Sequence, residues 1–152
     1  MALFKIFNNF NSNTAISNSN ITHVAGYCYF DKTTNKFYID TSNDANGLRQ
    51  LNGTYYGVCS TASGTAIKTV TIPGFGLTTG VSVLIKFANT NTAGVSTLQL
   101  NINGTGAKDI VRFNSDNSAI SLSKADDIIA GSICQFVYDG TYWVWVGHID
   151  TV

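Results

Sequence analysis

The sequence predicts an all-β protein, in which an antiparallel, jelly-roll-like β-sandwich follows an extended amino-terminal arm and a β-hairpin. Three observations predict this fold class. Short runs rich in β-branched and aromatic residues recur along the chain, turn signals such as Asn-Gly and Pro-Gly separate them, and only residues 124–130 could form a helical turn. A chain of 152 residues is long enough for one domain with an attached arm. We therefore predict two parts, an attachment arm and hairpin at 1–52 and a β-sandwich domain at 53–152.

The first part opens with an apolar head and continues into an Asn- and Ser-rich stretch that cannot build a core by itself. The head consists of Leu3, Phe4, Ile6 and Phe7. Because these side chains would be exposed on an isolated arm, we expect the head to dock on another subunit or chain, the alternative being a disordered start. A hairpin follows, with strands predicted near 27–30 and 37–39.

The second part alternates short strand-like runs with turns. The predicted strands lie near 55–59, 67–72, 81–87, 97–102 and 110–113, before a closing hairpin. Seven or so short strands at this spacing are typical of a sandwich or a small barrel.

The closing hairpin contains an Asp-Gly pair, Asp139-Gly140, between two runs of aromatic and β-branched residues. A two-residue loop would place Phe136 opposite Trp143, with Trp145 on the same face. Both faces of such a hairpin are largely apolar, so we expect one to lie on its own sandwich and the other near a sister subunit. Phe136, Trp143 and Trp145 are the candidates for a subunit interface or for stacking on sugar rings, and we favour burial.

The composition argues against several partners. The formal net charge is zero and only 12% of the residues are charged, so an electrostatic grip on nucleic acid or on an anionic membrane is not expected. No apolar run is long enough for a signal peptide or a membrane span, so we expect synthesis in a cytoplasm and no membrane insertion. A polar, nearly uncharged surface suits glycans or the flat surface of a protein partner.

The sequence offers no catalytic or metal-binding motif, and we predict no cofactor. The two histidines, His23 and His148, stand apart from any nucleophile motif. The three cysteines have neither CxxC spacing nor an even number, which argues against a zinc site or a disulfide framework. They are Cys28, Cys59 and Cys134, each within an apolar run.

Two stretches together resemble a known class of proteins. GYCYFDKTTNKFYID near the start, and GTYYGVCSTASGTAIKTVTIPGFGLTTGVSVLIKF through NINGTGAKDIVRF to FVYDGTYWVWVG, are similar to the fibre and tail-associated structural proteins of bacteriophages and prophages. The resemblance covers most of residues 24–147. It implies a virion location, attachment to capsid or tail proteins through the arm, assembly as a homotrimer and contact with host surface glycans.

The chain departs from that class in one respect, since it lacks the long shaft of a typical tail fibre. A short tail fibre or a head fibre therefore fits its length better. The alternatives are a capsid decoration protein with no receptor role and a non-viral carbohydrate-binding module. An enzyme such as a depolymerase is the weakest alternative, because no pair of carboxylates can be placed at a common site from the sequence.

Overall fold

The computed structural model describes residues 21–31, 33–44, 46–92, 97–116 and 118–146, and within these ranges the all-β class is confirmed. The described part contains eleven strands and no helix. The strands are β1 Cys28–Asp31, β2 Lys36–Asp40, β3 Leu48–Gln50, β4 Tyr55–Cys59, β5 Ile67–Val70, β6 Ser82–Phe87, β7 Gln99–Ile102, β8 Lys108–Phe113, β9 Ala119–Ser121, β10 Ile133–Tyr138 and β11 Trp143–Val146. The described residues form two compact units: the first is the part up to Gly53 together with Pro73–Gly76, and the second is Thr54–Ile72 together with the part from Leu77 onward.

The first unit is built on an antiparallel sheet in the order β1-β2-β3. Tyr29, Tyr38 and Leu48 form its small core, each at most 2% exposed. The loop Pro73–Gly76 belongs to this unit, and Gln50 N donates to Gly74 O at 3.0 Å. Gly74 has a φ of +70°, and a Cβ there would lie 2.7 Å from a ring carbon of Tyr38. Only glycine fits this position.

The second unit is one sheet in the order β4-β6-β10-β11-β8-β7-β5, with β9 beside β8. It is mixed, whereas the sequence predicted an antiparallel arrangement: β4 runs parallel to β6, β11 to β8 and β5 to β7. Each of these pairs joins strands that are not consecutive in the chain. Turn signals report only on consecutive strands, so the sequence pattern does not show parallel pairing.

The sheet of the second unit curls until its two edge strands approach each other, as in a nearly closed barrel-like sandwich. A Cβ on Gly57 of β4 would overlap Cγ1 of Val70 on β5, so this approach requires glycine. Beyond β4, Thr61 Oγ1 accepts a hydrogen bond from Thr69 N at 2.9 Å. Side chains therefore join two edges that are not neighbours in the hydrogen-bonded order.

The interior of the second unit also holds a lysine, Lys68 on β5, which is 1% exposed. Its Nζ donates to Ala62 O at 3.0 Å and to Ser63 O at 3.3 Å. Burial lowers the pKa of this ammonium from its ordinary value of 10.5, because the charged form loses hydration. The two carbonyl oxygens replace part of that hydration.

The closing hairpin has a four-residue loop, Asp139 to Tyr142, so the predicted pairing of Phe136 with Trp143 is wrong by two residues. Tyr138 pairs with Trp143, and Phe136 pairs with Trp145. The cause is the side chain of Asp139, whose Oδ1 accepts hydrogen bonds from Thr141 N and Tyr142 N, both at 2.7 Å. A shift of two residues keeps each side chain on its face, so the predicted division into faces is unchanged.

Candidate functional site

The aromatic residues of the closing hairpin lie mostly in the core of the second unit. Phe136 is fully buried and Trp143 is 1% exposed. The ring centroids of Tyr138 and Trp143 are 5.4 Å apart, and those of Phe136 and Trp145 are 6.0 Å apart. Phe136 and Trp143 therefore offer no free ring face to a sugar, and Trp145 is half-buried against Phe136. The other predicted site, Leu3, Phe4, Ile6 and Phe7, lies outside the described residues.

The opposite surface of the same strands is largely apolar and open to solvent. We call it the outer face; its apolar residues are Leu84, Ile133, Val137, Val144 and Val146, and the exposed side chain of Gln135 lies among them. Ile133 is 58% exposed and Val146 is 43% exposed, while the other three apolar side chains are half-buried. Among the residues of β6 and β10 that pair with one another on this face, only Lys86 is charged. The face thus presents aliphatic surface with little charge.

A groove of about 640 Å³ runs where the edge strands β4 and β5 face each other. We call it the seam groove; it is lined by Val58, Ser60, Thr61, Thr69, Val70, Thr71, Asn101, Asn103 and Gly104. Every polar side chain in this lining is neutral. The groove therefore combines hydroxyl and amide groups with two valines and carries no net charge.

Hydrogen bonds hold the walls of the seam groove in place. The side-chain amide of Asn103 donates to Ile72 O at 2.7 Å and accepts from Ile72 N at 2.8 Å, as a paired strand would. On the other wall, Asn89 Nδ2 donates to Ser60 O and Thr61 O, both at 3.2 Å. The groove is thus a fixed part of the fold.

A buried polar cluster lies in the first unit, around the fully buried carboxylate of Asp40. His23 Nδ1 lies 2.9 Å from Asp40 Oδ1, and Asp40 Oδ2 accepts from Tyr29 Oη at 2.9 Å and from Val24 N at 3.2 Å. Burial, and secondly the bond to Asp40, raise the pKa of Tyr29 far above its usual range. The cluster holds the segment before β1 on strands β1 and β2, where the sequence predicted only an extended arm.

Within the described ranges, no group of three or more His, Cys, Asp or Glu side chains could hold a metal ion. The same residues contain no helix long and apolar enough to cross a membrane. A comparison of the chain with known protein families, with curated proteins and with solved structures finds no match. The outer face and the seam groove are therefore the two surfaces from which a function can be argued.

Proposed function

We propose that this chain is a bacteriophage virion structural protein, a short fibre of the head or tail that assembles as a homotrimer. The amino-terminal arm attaches it to a capsid or tail protein, and the second unit faces outward to contact host surface glycans. The role is binding and assembly, with no chemical step. The observation that carries the proposal is the outer face, and the resemblance of the sequence to phage fibre proteins supports it.

The outer face favours assembly because covering exposed aliphatic surface lowers the free energy by roughly 25 cal/mol per Å². A largely apolar exposed patch that polar residues border commonly marks a protein interface. A second copy of this chain is the partner that its chemistry suits, since faces with so little charge can meet without like-charge repulsion. The choice of three copies rests on the resemblance alone.

Replacing Ile133 with Asp is expected to convert the purified trimer into monomers at micromolar concentration. Ile133 is 58% exposed, so the substitution opens no cavity, and the new carboxylate faces Lys86 on the neighbouring strand. In an assembly the new carboxylate and Lys86 would both be removed from water, which costs several kcal/mol even when the two charges pair. Light scattering coupled to size exclusion measures the mass directly.

Ile129→Asp is the matched control, because Ile129 is 59% exposed and lies in the loop before β10, off the outer face. This variant should keep the mass of the wild type. A wild-type protein that is already monomeric would contradict the assembly proposal. So would a trimer that both substitutions leave intact.

The seam groove favours a second candidate function, a carbohydrate-binding module outside any virion. Its neutral hydroxyl and amide lining suits a sugar whether or not the chain is carried on a particle. The two candidate functions differ in whether the chain is incorporated into phage particles. A free carbohydrate-binding module would be absent from the particles. A capsid decoration protein with no receptor role would be incorporated and would bind no glycan.

A further inference from the structure

We propose that the seam groove is a binding site for neutral carbohydrate. The inference deepens the proposed function, because it assigns the contact with host surface glycans to named residues. It depends on the proposed function only in taking the sugar to come from a host surface.

The first support is a set of polar side chains in the groove with atoms that make no hydrogen bond inside the fold. Within the described ranges, Ser60 Oγ, Thr71 Oγ1 and Asn101 Nδ2 make no hydrogen bond to another residue. Thr61 and Asn103, by contrast, are engaged with Thr69 and Ile72. A sugar has hydroxyl groups that both donate and accept, so it can pair with hydroxyl and amide groups in either direction.

The second support is the strand-edge backbone beside the groove, of which Thr69 N is already bonded to Thr61 Oγ1. Strands β4 and β5 stand at opposite ends of the hydrogen-bonded order, and each therefore turns one strand edge toward the other. Strand edges carry N–H and C=O groups available to a ligand. Asn89 and Asn103 already fix the walls of the groove. A ligand that binds the strand edges therefore loses little free energy in ordering the site.

The third support is exposed apolar surface along β4. Val58 lines the groove and is 50% exposed, and Tyr56, two residues earlier on the same side of the strand, is 42% exposed and lies between the groove and Leu84 of the outer face. The two residues are about 7 Å apart along the strand. A tyrosine ring with a free face can lie against the C–H face of a pyranose while the groove binds its hydroxyls.

The lining also decides the class of ligand. A volume of about 640 Å³ lies within the usual range for small-ligand sites and can accept a short oligosaccharide. Nucleic acid and acidic glycans require cationic side chains to neutralise their charge, and the lining contains none. Neutral hexose or hexosamine units match both the size and the charge.

The test is a microbial glycan array probed with the purified full chain, followed by titration calorimetry on the best neutral oligosaccharide. We expect neutral glycans to bind. Thr71→Val, which keeps the shape of the side chain and removes its hydroxyl, should weaken the affinity about fivefold to tenfold. Tyr56→Ala should weaken it roughly fivefold through lost ring contact.

Thr78→Val is the control, because Thr78 is an exposed threonine of the same unit that does not line the groove. It should leave the affinity unchanged, and thermal unfolding should show that all three variants fold. A blank array, binding of acidic glycans alone, or neutral binding that neither Thr71→Val nor Tyr56→Ala weakens would overturn the groove assignment. A chain that is incorporated into virions but binds no glycan would refute the groove alone, whereas glycan binding without incorporation would refute the virion role alone.

Discussion

Replacing Trp143 with Ala is expected to lower the free energy of unfolding of the second unit by about 4 kcal/mol. Trp143 is 1% exposed, and its ring contacts that of Tyr138 at a centroid distance of 5.4 Å. The substitution removes the largest fully buried side chain among the described residues and leaves a cavity that the surrounding strands cannot fill. Urea denaturation at neutral pH measures the loss.

Trp145→Ala is the matched comparison, because the same atoms are removed from a half-buried position. We expect it to cost about 2 kcal/mol or less. The chain contains two tryptophans, both on β11 of the second unit, so each variant keeps one fluorescent reporter of that unit. Equal losses for the two variants would contradict the placement of Trp143 in the core and Trp145 at its margin.

Asp40→Ala is expected to destabilise the first unit by about 3 kcal/mol. The change removes the acceptor for Tyr29 Oη and Val24 N and the partner of His23 Nδ1. Tyr29 Oη keeps Thr22 O as an acceptor at 2.9 Å, so the cost comes chiefly from the lost bonds of the buried carboxylate to Val24 N and His23. Hydrogen exchange detected by mass spectrometry on peptides from residues 36–50 reports on this unit separately from the tryptophans.

Tyr29→Phe separates the carboxylate from its hydroxyl partner. It keeps the ring and removes one donor, while Val24 N and His23 still bind Asp40. We expect about 1 kcal/mol for this variant. If Asp40→Ala lowered the protection of residues 36–50 no more than Tyr29→Phe does, the carboxylate would not be the organising group of the cluster.

Local sequence patterns predicted where most of the strands lie, but they predicted little of the pairing between strands that are distant in the chain. The alternation in 82–87 and 133–138 marks real strands, and Phe136 and Trp143 share a face as predicted because the register differs from the predicted one by an even number of residues. The register itself depends on the two hydrogen bonds to Asp139 Oδ1, and Asp-Gly sequences fit more than one loop length. Which loop length forms therefore depends on hydrogen bonds that exist only in the folded loop.

The candidate sites were harder to predict because their residues meet only after folding. The walls of the seam groove come from three separate segments, 58–61, 69–71 and 101–104. The only hint in the sequence is the repeated Thr and Asn at alternate strand positions, which also suits an ordinary solvated face. His23 and Asp40 are 17 residues apart and meet through the pairing of β1 with β2, so neither residue alone indicates the cluster.

Mass spectrometry of phage particles purified from the organism whose DNA encodes this chain tests the virion proposal most directly. The virion proposal predicts that the chain copurifies with intact particles in a copy number divisible by three, and that deletion of residues 1–20 removes it from them. Particles that are complete and infective without a trace of the chain would contradict the proposal.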